Sequence, residues 1–180
     1  MINKMYNESS VREDIKLTLK QQGAITLIDF LDEETIKELR EKVFPWKKQY
    51  NPLRYSFKEG DFKVSEITEE VIEFIEELIK KKVKVGSVKV CLFENKDYTL
   101  LTDNSFEEEG FTLILELNEY WRKDWGGFTS FIKENEEIQR MYPIPNSLSV
   151  IQTSKAMKSF VKYINHHATS KRIFIEWKLK

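Results

Sequence analysis

From Gly86 onward the apolar residues stop recurring every three or four positions and begin to alternate, and they alternate almost to the last residue. Side chains two apart on a strand share a face, so this half of the chain predicts strands. Turn-forming residues divide it into eight: residues 87–94, 98–102, 111–118, 128–132, 137–142, 147–152, 158–165 and 172–179. Eight short strands at turn-separated spacing predict a β-sandwich or barrel. The first half carries helical spacing instead. Ser9 or Ser10 can cap a helix over 10–22, stopped by Gly23. Asp32 caps a second over 33–44, ended by Pro45. Thr68 opens a third over 68–82, with glutamates in its first turn and Lys80, Lys81 and Lys82 in its last, as the helix dipole prefers. Residues 24–30 read as a short apolar strand, 46–60 as aromatic and irregular with a candidate edge strand at 54–57, and 62–64 as weakly alternating. Residues 1–9 are polar and expected to fray. The fold class is α+β, a β-rich core backed by N-terminal helices.

Length and composition limit the alternatives. A chain of 180 residues is most economically one domain, over 1–180, and 41% hydrophobic with 33% charged residues is a globular balance. Lys and Arg total 29 against 30 Asp and Glu, so no basic surface points to nucleic acid. The abundance of Lys and Glu would also suit a heat-adapted source. No stretch has the length or apolarity of a membrane span, and the first residues are too polar for a signal peptide, so the expected location is cytoplasmic. Cys91 is the single cysteine, which excludes an internal disulfide and reads as a small buried hydrophobe. No phosphate loop, dinucleotide fingerprint or HExxH occurs. Trp121, Trp125, Gly126 and Gly127 read as a structural turn, and Glu107, Glu108 and Glu109 as a solvated loop.

Several segments, in order, resemble one family. GAITLIDFLDEETIKELREKV is similar to the strand-then-helix opening of the prolyl-4-hydroxylase-like branch of the Fe(II)/2-oxoglutarate dioxygenases. DYTLLTDN resembles its Tyr-x-x-His-x-Asp-Asn segment, and FTLILELNEYWRKDWGGFTSF its long strand followed by Trp and Gly-Gly. PIPNSLSVIQ and KRIFIEW resemble the two later strands. The resemblance spans roughly residues 23 to 179 and implies a double-stranded β-helix, or jelly roll. In such enzymes two His and one carboxylate hold iron and leave positions open for cosubstrate and O2. Carried over, Asp103 falls on the carboxylate ligand, Tyr98 on a pocket tyrosine, and Arg172 on the basic residue that pairs with the cosubstrate's far carboxylate.

Two departures stand against that chemistry. Leu101 occupies the place of the first histidine, and Val161 to Tyr163, where the second belongs, contain none. The only histidines, His166 and His167, fall in what reads as a hairpin turn. The first reading is therefore a divergent member that has lost its iron site. It would be a binding or interaction module for a protein or peptide partner or a small carboxylate, cofactor contacts resting on Arg172 and Tyr98 and no catalytic residue assigned. The alternative is an active oxygenase that binds Fe(II) and 2-oxoglutarate at an atypical site, with Asp103 and His166 or His167 as ligands, and hydroxylates a protein side chain such as proline.

Overall fold

The computed structural model describes every residue except 63–65, 102 and 103, and only the backbone of Glu66 and Asn104. Among the described residues the alternating half of the chain forms eight antiparallel strands: β4 (Val85–Phe93), β5 (Asn104–Ser105), β6 (Gly110–Glu116), β7 (Thr129–Lys133), β8 (Glu136–Met141), β9 (Leu148–Thr153), β10 (Lys158–Val161) and β11 (Arg172–Leu179). The earlier half adds α1 (Ser9–Gln22), β1 (Ala24–Leu27), α2 (Glu33–Glu41), β2 (Lys47–Asn51), β3 (Tyr55–Asp61) and α3 (Glu66–Ile79). A large sheet has the order β1-β9-β6-β11-β4-β3-β2 and a small one the order β5-β10-β7-β8. From β4 to β11 the chain passes back and forth between the sheets. This is the α+β double-stranded β-helix.

Alternation along the large sheet builds two cores. On β6 and β11, Leu113, Leu115, Ile175 and Trp177 face the helices, where they meet Leu19, Ile36 and Ile75. Their strand neighbours Ile114 and Phe174 face the small sheet and pack with Phe131, Met141 and Val161. The same parity turns Glu116, Arg172 and Glu176 inward between the sheets, so the pleat alone fixes which polar groups line the interior. Among the described residues no helix is long and apolar enough to cross a membrane.

Several boundaries differ from expectation, each for a local reason. Residues 1–9 do not fray: Lys4–Asn7 forms a 3-10 turn whose Tyr6 is buried against Phe30 and Phe74. Glu8, not a serine, precedes α1, and it makes no side-chain cap. Helix α2 ends at Glu41, because Lys42 is already extended and Phe44 turns away to pack on Trp46 and Phe62. Helix α3 starts at Glu66 and is stopped by Lys80 in the left-handed region (φ 54°). The irregular 46–60 segment contains a hairpin, β2 with β3, which extends the large sheet beyond β4. Lys63 and Val64 lie outside the described residues.

The strand expected at 98–102 is absent from its described part, and the pairing strand is β5 instead. Thr99 is held sideways: its N–H donates to the Val161 carbonyl at 3.1 Å and its hydroxyl accepts from the Val161 N–H at 2.7 Å. A threonine side chain that takes a strand's place in the ladder ends the regular pairing there. Strand β10 correspondingly stops at Val161 rather than 165, because Ile164 N–H turns to the Asp97 carbonyl.

Asp32 caps α2 as expected, its carboxylate accepting from the Thr35 N–H at 2.8 Å. That bond is the main cause holding its carboxyl below the usual carboxylate range. Asp32→Ala is expected to lower stability by about 1 kcal/mol in denaturant melts near pH 7. The folded value is depressed, so the contribution is present above the ordinary aspartate range and lost as pH falls through the lowered value. The gap between the two proteins should therefore close in acid.

Candidate site between the sheets

A cavity of about 320 Å³ lies between the sheets. The large sheet supplies Tyr55, Phe57 and Glu59 from β3, Lys89, Cys91 and Phe93 from β4, and Phe174 and Glu176 from β11. Thr129, Ser159 and Val161 of the small sheet, with Thr99, close it from the opposite side. The aromatic wall is continuous: Phe57 stacks on Phe93 at 5.1 Å between centroids, and Phe93 on Phe174 at 5.8 Å. Cys91 is buried beneath it, and burial pushes its thiol up to about 12, so it is neither a nucleophile nor a metal ligand at neutral pH.

At the Arg172 end the charge balance is closed within the chain. Arg172 is fully buried, with its guanidinium carbon 4.3 Å over the Phe174 ring. Its Nε donates to both Glu116 oxygens, at 3.1 and 3.2 Å, and a terminal nitrogen forms a close ion pair with Glu116 Oε1. The other terminal nitrogen donates to the Gly127 carbonyl at 2.6 Å and the Thr129 hydroxyl at 2.9 Å. Gly127 can present that carbonyl because it holds φ +68° (a conformation natural to glycine), and a Cβ there would meet Trp121 at 2.6 Å. Burial, only partly opposed by Arg172, holds the Glu116 carboxyl above the usual range.

Four residues along β11 is a second charged group. Lys89 Nζ stands 3.3 Å from Glu59 and 3.5 Å from Glu176. Glu176 is the chief cause that raises the Lys89 ammonium above its ordinary range, so Lys89 stays charged.

The expected site residues are distributed unevenly. Arg172 faces the interior, and the carboxylate it holds is the chain's own Glu116. Tyr98 is half-buried beside the β2–β3 hairpin, with its hydroxyl 3.4 Å from the Pro52 carbonyl and its ring against Tyr163. It is not among the residues that line the cavity. His166 and His167 are exposed and lie against each other in the turn between β10 and β11. Asp103 lies outside the described residues. The Thr99–Val161 bonds do bring the segments of Leu101 and Val161 together, where the resemblance puts the two iron-binding segments. Leu101, Val161, Lys162 and Tyr163 offer no imidazole there, so this donor set does not fit a two-histidine, one-carboxylate iron site. Among the described residues no three His, Cys, Asp or Glu side chains group to hold a metal.

Sequence reasoning missed Glu116, Lys89, Glu59 and Glu176. The available signal was parity. Glu116 is the one acid inside FTLILEL, and Lys89 and Glu176 are each in phase with inward-facing residues of their strands, Cys91 and Phe93 on β4 and Phe174 on β11.

Comparisons with known proteins agree with this architecture. No family model matches the chain. Over 90 residues, 47% of this chain, it is 36% identical to the prolyl 3-hydroxylase OGFOD1 of Xenopus laevis, and the match covers 18% of that longer protein. A Pseudomonas putida prolyl-4-hydroxylase superposes with a TM-score of 0.64 at 13% identity, over 94% of this chain and 98% of that one. A Trichoplax adhaerens prolyl hydroxylase, in complex with a hypoxia inducible factor peptide fragment, gives 0.68 at 12% identity, over 97% and 91%. The sequence match over about half of the chain and the shared fold support the resemblance to the Fe(II)/2-oxoglutarate dioxygenase superfamily. The relatives are prolyl hydroxylases, so the likeness is to the prolyl-hydroxylase-like branch.

Proposed function

We propose that this chain is a prolyl-hydroxylase-like protein that has lost the iron site and works as a binding module. The observation that carries the reading is the buried Arg172–Glu116 pair. A guanidinium that would hold the far carboxylate of 2-oxoglutarate already holds a carboxylate, fixed by strand register and sealed from water. An incoming dicarboxylate would have to displace it and leave Glu116 buried and unpaired, at a cost of several kcal/mol. Leu101, and the absence of His from Val161 to Tyr163, support the same reading from the metal side.

The cavity is lined by residues of the β2–β3 hairpin, β4, β10 and β11. The Trichoplax neighbour is in complex with a peptide fragment. By analogy with that neighbour, a polypeptide segment is the partner proposed for this chain. The test is calorimetric titration of the metal-free protein with 2-oxoglutarate and with succinate. No heat of binding is expected up to millimolar ligand, and saturable binding of either would contradict the reading. The alternative, an active oxygenase with Asp103 and His166 or His167 as ligands, requires cosubstrate turnover that His166→Ala or His167→Ala abolishes. The exposed position of both histidines gives it no support.

A further inference from the structure

We propose that the cavity between the sheets binds a guanidinium group, that of an arginine side chain on a partner polypeptide or of a small free guanidine. The inference rests on the reading that no dicarboxylate occupies this space, and it names the ligand class that replaces it.

Three observations carry it. The first is charge. Two carboxylates, Glu59 and Glu176, face one ammonium, Lys89, while Arg172 and Glu116 pair with each other, so the charged groups among the described lining residues sum to one negative charge. The second is a missing donor. Glu176 Oε1 is shut off from solvent and accepts no hydrogen bond, with Lys89 Nζ 3.5 Å away as an ion-pair contact. The Glu176 side chain keeps 15% of its surface open and lines the cavity, so a donor arriving there can complete the hydrogen bonding of this carboxylate. The third is the wall. Tyr55, Phe57, Phe93 and Phe174 form a row of rings, with 6.0 Å between the first two. Such faces attract a planar cation and cover an alkyl stem.

The interior already demonstrates this chemistry. Arg172 lies over one end of the same aromatic row and forks onto a glutamate. Glu176, two residues beyond Phe174 on β11, repeats the acid-beside-aromatic arrangement in the cavity lining. A guanidinium suits it better than an ammonium, because a fork of N–H groups can serve Glu176 and Glu59 together while its plane lies on a ring. The volume admits one side chain rather than a folded element.

The experiment is calorimetric or NMR titration of the whole protein with N-acetyl-arginine amide, agmatine and N-acetyl-lysine amide as probes. Arginine amide, agmatine or both should saturate, and whichever binds more tightly identifies the source as polypeptide or free guanidine. Glu176→Gln should weaken that binding by about tenfold or more, the loss of one charge-assisted hydrogen bond. Glu59→Gln, at a side chain about one third exposed, should weaken it less and keeps the test decisive if the first variant misfolds. No binding of either guanidine at millimolar concentration, equal affinity of the lysine probe, or unchanged affinity in Glu59→Gln and a folded Glu176→Gln would overturn the proposal. Failure here leaves the loss of iron chemistry standing, whereas binding of 2-oxoglutarate with iron would overturn that reading whatever arginine does.

Discussion

Glu116→Ala is expected to destabilise the protein by about 3–5 kcal/mol, among the largest effects of any single polar substitution in this chain. Arg172 cannot shed its charge, and it has no exposed surface through which to recover hydration. Removing Glu116 strands a guanidinium whose Nε then has no acceptor, while the Gly127 and Thr129 bonds keep it from swinging out. Denaturant unfolding should show a lower midpoint at an unchanged slope, the signature of lost stability rather than of an altered unfolded state. Replacing both partners, Arg172→Met with Glu116→Leu, should recover most of the loss, since two apolar side chains of similar volume need no pairing. A Glu116→Ala protein as stable as the parent would mean that the interior charge is compensated elsewhere, and the account of the closed anion site would fail with it.

Trp177→Ala is the second. Trp177 is fully buried on β11, the strand between β4 and β6, and faces the helices. It meets Phe62 edge to face at 6.3 Å, and its indole N–H donates to the Thr68 hydroxyl near the start of α3. Truncation removes the largest side chain in that core and leaves Thr68, itself buried, without its donor. The expected cost is about 3–5 kcal/mol. Trp177→Phe keeps most of the ring and loses the hydrogen bond, so it should cost clearly less. Equal losses for the two variants in thermal or denaturant melts would show that the hydrogen bond, not the volume, holds α3 to the sheet.

The strands were legible because alternation reports parity directly, and parity survives whatever the chain packs against. The helices were legible for a similar reason, although their ends were set by single residues such as Lys42 and Lys80, whose backbone angles no periodicity encodes. The candidate edge strand at 54–57 falls on β3, but its partner β2 was hidden because it reads Lys-Lys-Gln-Tyr-Asn. As the outermost strand of its sheet it has little apolar surface to bury, so its order comes from pairing with β3. The turn at Tyr6 was hidden because one aromatic ring fixes an otherwise polar segment.

The site was half legible. Resemblance pointed to Arg172 and to the absence of imidazole at Leu101 and near Val161. What it could not give was Glu116, because an acid in an apolar strand announces burial but not its partner. That partner lies 56 residues away in sequence and is set by the register of β6 on β11. The interior pair turns an incomplete motif into a physical argument. Leu101 and Val161 carry no imidazole, and the guanidinium of Arg172 is paired within the chain, and the proposed loss of iron chemistry rests on these two observations together.

The most direct measurement is an anaerobic titration of the purified protein with Fe(II) and 2-oxoglutarate, followed by visible absorption. Chelation of iron by the cosubstrate in a protein site produces a metal-to-ligand charge-transfer band. The account predicts none, for the parent protein and for Asp103→Ala alike. A clear band in the parent that Asp103→Ala abolishes would contradict it and return the chain to the working oxygenases.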